Sequence, residues 1–155
     1  WPWLFLSFLA GFAASAVAAA GDDFTLPDLE GRDHSLSEYR GRWVLVNYWA
    51  KWCKPCIKEI PELNALDQGR SDVTVLGVNY DGLTGETLAA QLDELKVEFA
   101  TLPADPAAQL GTQRPVVLPT TFILDPDGTL VSTLVGPQTL DTLEQALVDA
   151  GAPAG

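Results

Sequence analysis

Two cysteines, Cys53 and Cys56, and a single histidine, His34, are all the soft metal ligands and disulfide-forming groups in this chain of 155 residues. So small a set excludes several chemistries. A multi-bridge disulfide framework needs more cysteines, and this pair is too close in sequence to staple distant parts of a fold. A structural zinc site wants four Cys or His ligands, one more than the chain has. Covalent haem attachment needs a histidine directly after the second cysteine, where this chain has Ile57. Positive charge is scarce too: 9 Lys plus Arg stand against 21 Asp plus Glu, for a net charge of -12. Such a surface repels phosphate backbones and anionic lipids, which argues against nucleic acid as a partner. Repeats, low-complexity tracts and linkers are absent as well, and the length suits one domain of about 100 to 200 residues. At 47% hydrophobic and 19% charged residues, the composition excludes wholesale disorder.

Charge is missing altogether from Trp1 to Ala20, an apolar stretch that runs into the small-residue tract Ala13–Ala20. An apolar run of roughly 7 to 15 residues before Ala-x-Ala is the pattern of an export signal. A retained membrane anchor is the alternative, since about 20 apolar residues can span a bilayer. Residues 1–20 are therefore expected to be a signal peptide or membrane anchor whose basic n-region is missing, and residues 21–155 a single domain. The expected location is periplasmic or otherwise extracytoplasmic, soluble after cleavage or held by residues 1–20.

Within 21–155, strand and helix signals alternate, the pattern of an α/β fold. Trp43–Trp49 is a nearly continuous β-branched and aromatic run, expected as a central strand buried on both faces. Asp33–Tyr39 reads as a polar turn region containing His34. Helical spacing at Cys56, Ile60 and Leu63 starts a helix at the cysteines, with Pro61 expected to kink it. Val73–Tyr80 reads as a second buried strand, and Leu88, Leu92 and Leu95 as a helix. Thr120–Leu124 and Thr129–Val135 flank Asp125-Pro-Asp-Gly128, a hairpin signal. Leu140, Leu143, Leu147 and Ala150 mark a closing helix.

Chemistry concentrates at Trp52-Cys53-Lys54-Pro55-Cys56. A helix N-terminus carries roughly half a positive charge and unpaired amides, which favour thiolate and lower the first cysteine's pKa from about 8.5 to about 3.5–7.5. Cys53 is thus the expected nucleophile. Two intervening residues let Cys56 reach back and close a disulfide, the resolving role. Copper(I) binding is the alternative for a thiolate pair. A peroxidase would need a Thr-x-x-Cys setting, and no threonine lies within ten residues before Cys53.

The chain resembles the TlpA/ResA-like thiol-disulfide oxidoreductases of thioredoxin fold. The matching segments are Asp23–Gly31, Leu36–Gly41, Val44–Ala50, Trp52–Cys56, Glu59–Leu63 and Leu118–Asp125. The resemblance implies a central mixed sheet flanked by helices, an N-terminal β-hairpin extension over about 22–40, and an insertion over Asp81–Leu110. It implies that Pro119 is a cis-proline facing the cysteines, exposing the backbone of Leu118 to substrate, with Trp52 alongside. It also points to Glu59 as acid/base, because the strand position where thioredoxin keeps a buried aspartate is Asn47 here. Lys54 and Pro55 are candidates for tuning the thiolate. Lys51, Lys54 and Lys58 cluster around the motif as a local positive field. No cofactor and no metal is implied. The implied partners are disulfide-containing exported proteins, with apocytochrome c as one candidate, and a membrane thiol electron donor.

Direction is not fixed by these residues. Thioredoxin and the oxidant DsbA differ by about 150 mV, roughly 7 kcal/mol for two electrons. One exposed lysine shifts a pKa by about one unit, about 1.4 kcal/mol. The resemblance favours a reductant, with a disulfide oxidant of similar fold or a copper(I) chaperone-like module as alternatives.

Overall fold

A computed structural model describes residues 25–27, 31–102 and 104–155. The expected export segment, Trp1 to Ala20, lies outside them. The elements run β1 (Thr25–Pro27), β2 (Asp33–Ser35), a 3-10 turn (Leu36–Tyr39), β3 (Trp43–Trp49), α1 (Lys54–Gly69), β4 (Val73–Asn79), α2 (Gly85–Leu95), β5 (Ala100–Leu102), β6 (Thr120–Leu124), β7 (Leu130–Val135) and α3 (Leu140–Ala150). Strands β3 to β7 form one mixed sheet in the order β5-β4-β3-β6-β7, a thioredoxin-like arrangement.

Every residue of β3 is buried. It pairs parallel with β4 and antiparallel with β6, so both its edges are satisfied and both its faces are covered. Alternation along the strand splits the core in two. Val44, Val46 and Tyr48 join Leu76, Val78, Phe122 and Leu124 on one face. Trp43 and Leu45 join Val75, Ile123 and the buried stripes of α1 and α3, including Ile60, Leu63, Leu143 and Leu147, on the other. Helix α1 runs through Pro61 without ending there.

The turn between β6 and β7 is set by Asp125, whose Oδ1 accepts from the backbone N–H of Asp127 and of Thr129, each at 3.0 Å. Gly128 follows at φ +80°, and the Arg40 side chain fills the place a β-carbon would need.

Two expectations need correction. Asp33–Tyr39 is not a turn region throughout: Asp33–Ser35 pairs antiparallel with Thr25–Pro27, so His34 sits in a strand. This hairpin forms its own two-stranded sheet, and main-chain pairing with β1 prevails over the polar side chains. The second buried strand also ends at Asn79, one residue early, where Tyr80 donates its N–H to the Trp49 carbonyl and the chain turns.

The segment from Asp81 to Leu110 supplies α2 and the edge strand β5, which pairs parallel with β4. Tyr48 on the central strand donates its hydroxyl to Asp105 at 2.5 Å. Burial and the adjacent carboxylate push the Tyr48 phenol well above its ordinary range, so it acts as a fixed donor. Arg114, 3.4 Å from the other Asp105 oxygen, lies 3.8 Å over the Tyr80 ring. These contacts fasten the insertion to the sheet next to the cysteines. Among the described residues, no helix is long and apolar enough to cross a membrane.

Candidate active site

Cys53 is the N-cap of α1, at the end of the loop leaving β3. Its Sγ accepts from the backbone N–H of Cys56 at 3.2 Å. Pro55 favours this arrangement: it has no N–H of its own and sits in the first turn, where an N–H would lack an intrahelical partner. The amide of Cys56 is thereby aimed at the sulfur that becomes the thiolate on reduction. In this structure the two cysteines are joined as a disulfide. Cys53 is 5% exposed and Cys56 fully buried, so an incoming group meets Cys53 first.

Around the disulfide the sequence candidates come together. The Leu118–Pro119 peptide bond is cis. Leu118 packs against the cluster of Trp49, Ala50, Cys53, Cys56 and Leu88. The loop is held by the Thr120 hydroxyl donating to the Val117 carbonyl at 2.7 Å and by Gly136 N–H donating to the Pro119 carbonyl at 2.9 Å. Trp52 is 64% exposed, and its indole N–H donates to the Asp81 carboxylate at 3.0 and 3.1 Å. That contact fixes the ring beside the cysteines.

The lysine cluster is weaker than its spacing suggests. Lys51 forms an ion pair with Glu94 of α2 at 2.6 Å, so its charge is largely offset locally. Lys54 and Lys58 are exposed, and water screens their effect on the sulfur.

Beside the cysteine pair, on α1, lies a buried carboxyl that departs from its ordinary behaviour. Glu59 is 1% exposed, three residues along α1 from Cys56, on the same helical face. Its Oε1 accepts from Asn47 Nδ2 at 2.6 Å and its Oε2 from Gln138 N–H at 2.9 Å. Burial pushes its pKa from the ordinary 4.5 up to about 7, outweighing the two hydrogen bonds that favour the charged form.

Strand register explains why Glu59 meets polar groups in an apolar interior. Thr101, Gly77, Asn47 and Thr121 lie opposite one another across β5, β4, β3 and β6. Asn47 shares its face of β3 with Leu45, which points it at α1. Its Nδ2 also donates to Thr121 Oγ1 at 3.0 Å, while its Oδ1 is buried without a partner among the described residues. Gly77 is required in this row, because a β-carbon there would lie 2.8 Å from Phe99 and 3.1 Å from both Thr101 Oγ1 and Trp49 Nε1.

Four contributors were not visible as candidates in the sequence: Gln138, Gly136, Thr121 and Asp81. Gln138 acts through its main chain 79 residues from Glu59, and no local pattern marks that. Thr121 was open to inference, since a polar residue inside the Thr120–Leu124 strand needs a buried partner. Among the described residues, no group of three or more His, Cys, Asp or Glu side chains is placed to hold a metal ion.

Comparison with known proteins agrees with this geometry. The model of the AhpC/TSA family matches residues 17–133. The thiol-disulfide oxidoreductase ResA of Geobacillus kaustophilus is 32% identical, over 93% of this chain and 83% of its own length. The thioredoxin-like protein YneN of Bacillus subtilis is 34% identical, over 81% and 75%. Among solved structures, the exposed lipoprotein thioredoxin of Streptococcus pneumoniae superposes with a TM-score of 0.67 at 28% identity, covering 82% of this chain and 98% of that one.

Proposed function

The chain belongs to the AhpC/TSA family of thioredoxin-like proteins and is a thiol-disulfide oxidoreductase; on that premise we propose that it reduces disulfides of exported proteins through the Cys53/Cys56 dithiol, with Glu59 as the proton carrier. The carrying observation is the buried Glu59 carboxyl, one helical turn from Cys56, with a pKa raised to about 7.

In the forward reaction the Cys53 thiolate, favoured by the Cys56 amide, attacks one sulfur of the client disulfide. The other client sulfur leaves as thiolate and takes up a proton. Cys56 then gives its proton to the Glu59 carboxylate and attacks Cys53 Sγ, expelling the second client thiolate, which is protonated in turn. Two electrons pass from the dithiol to the client, and the chain ends in the disulfide form described above. A group with a pKa near the working pH suits this step, because it accepts and releases the proton with little penalty. A membrane thiol electron donor restores the dithiol by the reverse exchange.

Leu118 offers its main chain to an extended client strand beside cis-Pro119, and Trp52, held by Asp81, forms the facing wall. Pro55 tunes the thiolate by the capping geometry, and Lys54 adds only a water-screened charge. The extracytoplasmic location draws support from the charge-free Trp1–Ala20 segment and from the likeness to an exposed lipoprotein thioredoxin. In this reading residues 1–20 direct export and 21–155 form the redox domain. Apocytochrome c is the client suggested by the family resemblance.

A Cys56→Ser variant tests the proposal, since the mixed disulfide at Cys53 then has no resolving thiol. Expressed from its full precursor in the native host, it should accumulate covalent adducts with exported proteins that dithiothreitol releases. Adducts with cytoplasmic proteins alone, or none, would overturn the assignment.

A further inference from the structure

Gly136 to Thr139 join β7 to α3, and this short link touches both the proton carrier and the client loop. Pro137 within it has no N–H, so the amides on either side of it are the ones that reach neighbouring elements. Gly136 N–H donates to the Pro119 carbonyl at 2.9 Å. Gln138 N–H donates to Glu59 Oε2, also at 2.9 Å. The partly buried Gln138 side chain then reaches back past Pro137, its Nε2 donating to the Gly136 carbonyl at 3.1 Å. That bond and the fixed φ of Pro137 brace the link, so a shift of one amide is passed to the other.

We propose that Gln138 is a positioning residue that ties the Leu118–Pro119 docking loop to the proton on Glu59, holding the client strand while Glu59 is ionised and loosening it once Glu59 has taken the proton of Cys56. The inference rests on the exchange and proton-carrier reading given above. A carboxylate accepts a charge-assisted hydrogen bond roughly twice as strong as the bond a neutral carboxyl accepts. Proton transfer from Cys56 therefore weakens the hold on Gln138 N–H at the step in which Cys56 attacks Cys53 and the second client thiolate leaves. The braced link passes that slack to Gly136 and so to the Pro119 carbonyl, next to the Leu118 main chain that receives the client. Linkage makes the effect reciprocal: a docked client favours ionised Glu59, which readies it to accept the Cys56 proton. Other groups around Glu59 do not supply this response. Asn47 on β3, Thr121 on β6 and Gln138 do not titrate, and Cys56 is held in the disulfide of the oxidised protein. Lys58 of α1 and Asp141 of α3 are exposed, and Glu62, further along α1, accepts instead from Leu140 N–H at 2.8 Å.

Amide resonances of the oxidised protein, followed by NMR against pH, test the tie directly. In the wild type the Gln138 and Gly136 amides should shift together, with a common midpoint near the Glu59 value of about 7. Gln138→Ala, its fold checked by circular dichroism, removes the brace and keeps the backbone N–H; there the amide of residue 138 should still titrate and that of Gly136 should not. A Gly136 amide that is unmoved in the wild type, or that titrates equally in the variant, would overturn the tie while leaving the proton carrier standing. A shift shared equally by the Leu140 amide would report movement of α3 as a whole and overturn it too. If neither amide titrates near the Glu59 value, the proton-carrier reading falls with it. Activity gives a second readout, kcat/KM for a blocked alanine-rich peptide whose one cysteine is in mixed disulfide with 2-mercaptoethanol, divided by kcat/KM for 2-hydroxyethyl disulfide, which is too small to span the docking loop. Titration of the cysteines is common to both substrates and cancels in the ratio. Between about pH 5.5 and about pH 8.5 the ratio should rise by up to about fivefold in the wild type, the equivalent of about 1 kcal/mol between a charge-assisted and a neutral hydrogen bond, and stay level in Gln138→Ala. A level ratio in the wild type would overturn the coupling, and failure to reduce either disulfide would remove the exchange reading itself.

Discussion

Glu59→Gln places a nearly isosteric neutral group in the buried site, and its effect on stability follows from the hydrogen bonds there. In the wild-type protein Glu59 titrates near 7 when folded, against an ordinary 4.5 when unfolded. Between those values the folded state holds the proton and the unfolded state does not, so stability falls as pH rises through this window and is level above it. The gap of about 2.5 pH units, at about 1.4 kcal/mol each, amounts to about 3 kcal/mol. The variant lacks this dependence, and every other titrating group cancels in the difference between the two proteins. It carries a different cost: two donors, Asn47 Nδ2 and Gln138 N–H, point at the carboxylate, and a carboxamide oxygen satisfies only one of them. The amide nitrogen then faces the other donor, which costs about 1 to 2 kcal/mol at all pH values. Glu59→Gln should therefore be less stable than wild type by about 1 to 2 kcal/mol near about pH 4 and more stable by a similar amount near about pH 8.5, with the curves crossing between. Urea unfolding of both oxidised proteins across this range measures the difference directly. Parallel curves would show that Glu59 has an ordinary pKa and would refute its desolvation, and the proton-carrier role with it.

Three further outcomes are expected. Gly77→Ala should destabilise by about 1 to 3 kcal/mol, read by urea unfolding, because its new methyl meets Phe99 and the rigid Trp49 ring; a neutral effect would show that the sheet yields there. In the reduced protein, iodoacetamide should modify Cys53 well before Cys56, as mapped by mass spectrometry, since Cys53 alone has access and the facing amide; equal modification would contradict the assigned order of attack. Arg70, its side chain 7% exposed, donates to Asp72, Glu144 and the Pro153 carbonyl. Arg70→Ala should cost about 2 kcal/mol, reduced from the value for a fully buried pair because both acids are partly solvated, and should make the chain after Gly151 sensitive to carboxypeptidase.

The redox chemistry and its frame were legible in the sequence because they depend on local pattern. The run Trp43–Trp49, apolar or aromatic at every position but Asn47, marks a doubly buried strand, and two cysteines at the next helix start mark a redox-active thiol pair. The Asp125-Pro-Asp-Gly128 turn and the helical stripes of α1 and α3 are equally local. The tertiary structure alone decided what surrounds that pair. It brought the Gln138 amide, 79 residues away, onto Glu59, aligned Thr101, Gly77, Asn47 and Thr121 in one row, and gave Lys51 to Glu94 instead of to the cysteines. Strand pairing likewise makes Asp33–Ser35, a polar turn by its own residues, one arm of the N-terminal hairpin that the family resemblance implied. The physical division is one of range. Side-chain periodicity and helix capping act within a few residues and leave a mark on the sequence, whereas strand register and main-chain hydrogen bonds carry no residue signature. Burial raises the pKa of Glu59 against the pull of the Asn47 and Gln138 hydrogen bonds, so the residue could be singled out by the family resemblance but its environment had to be found in the fold.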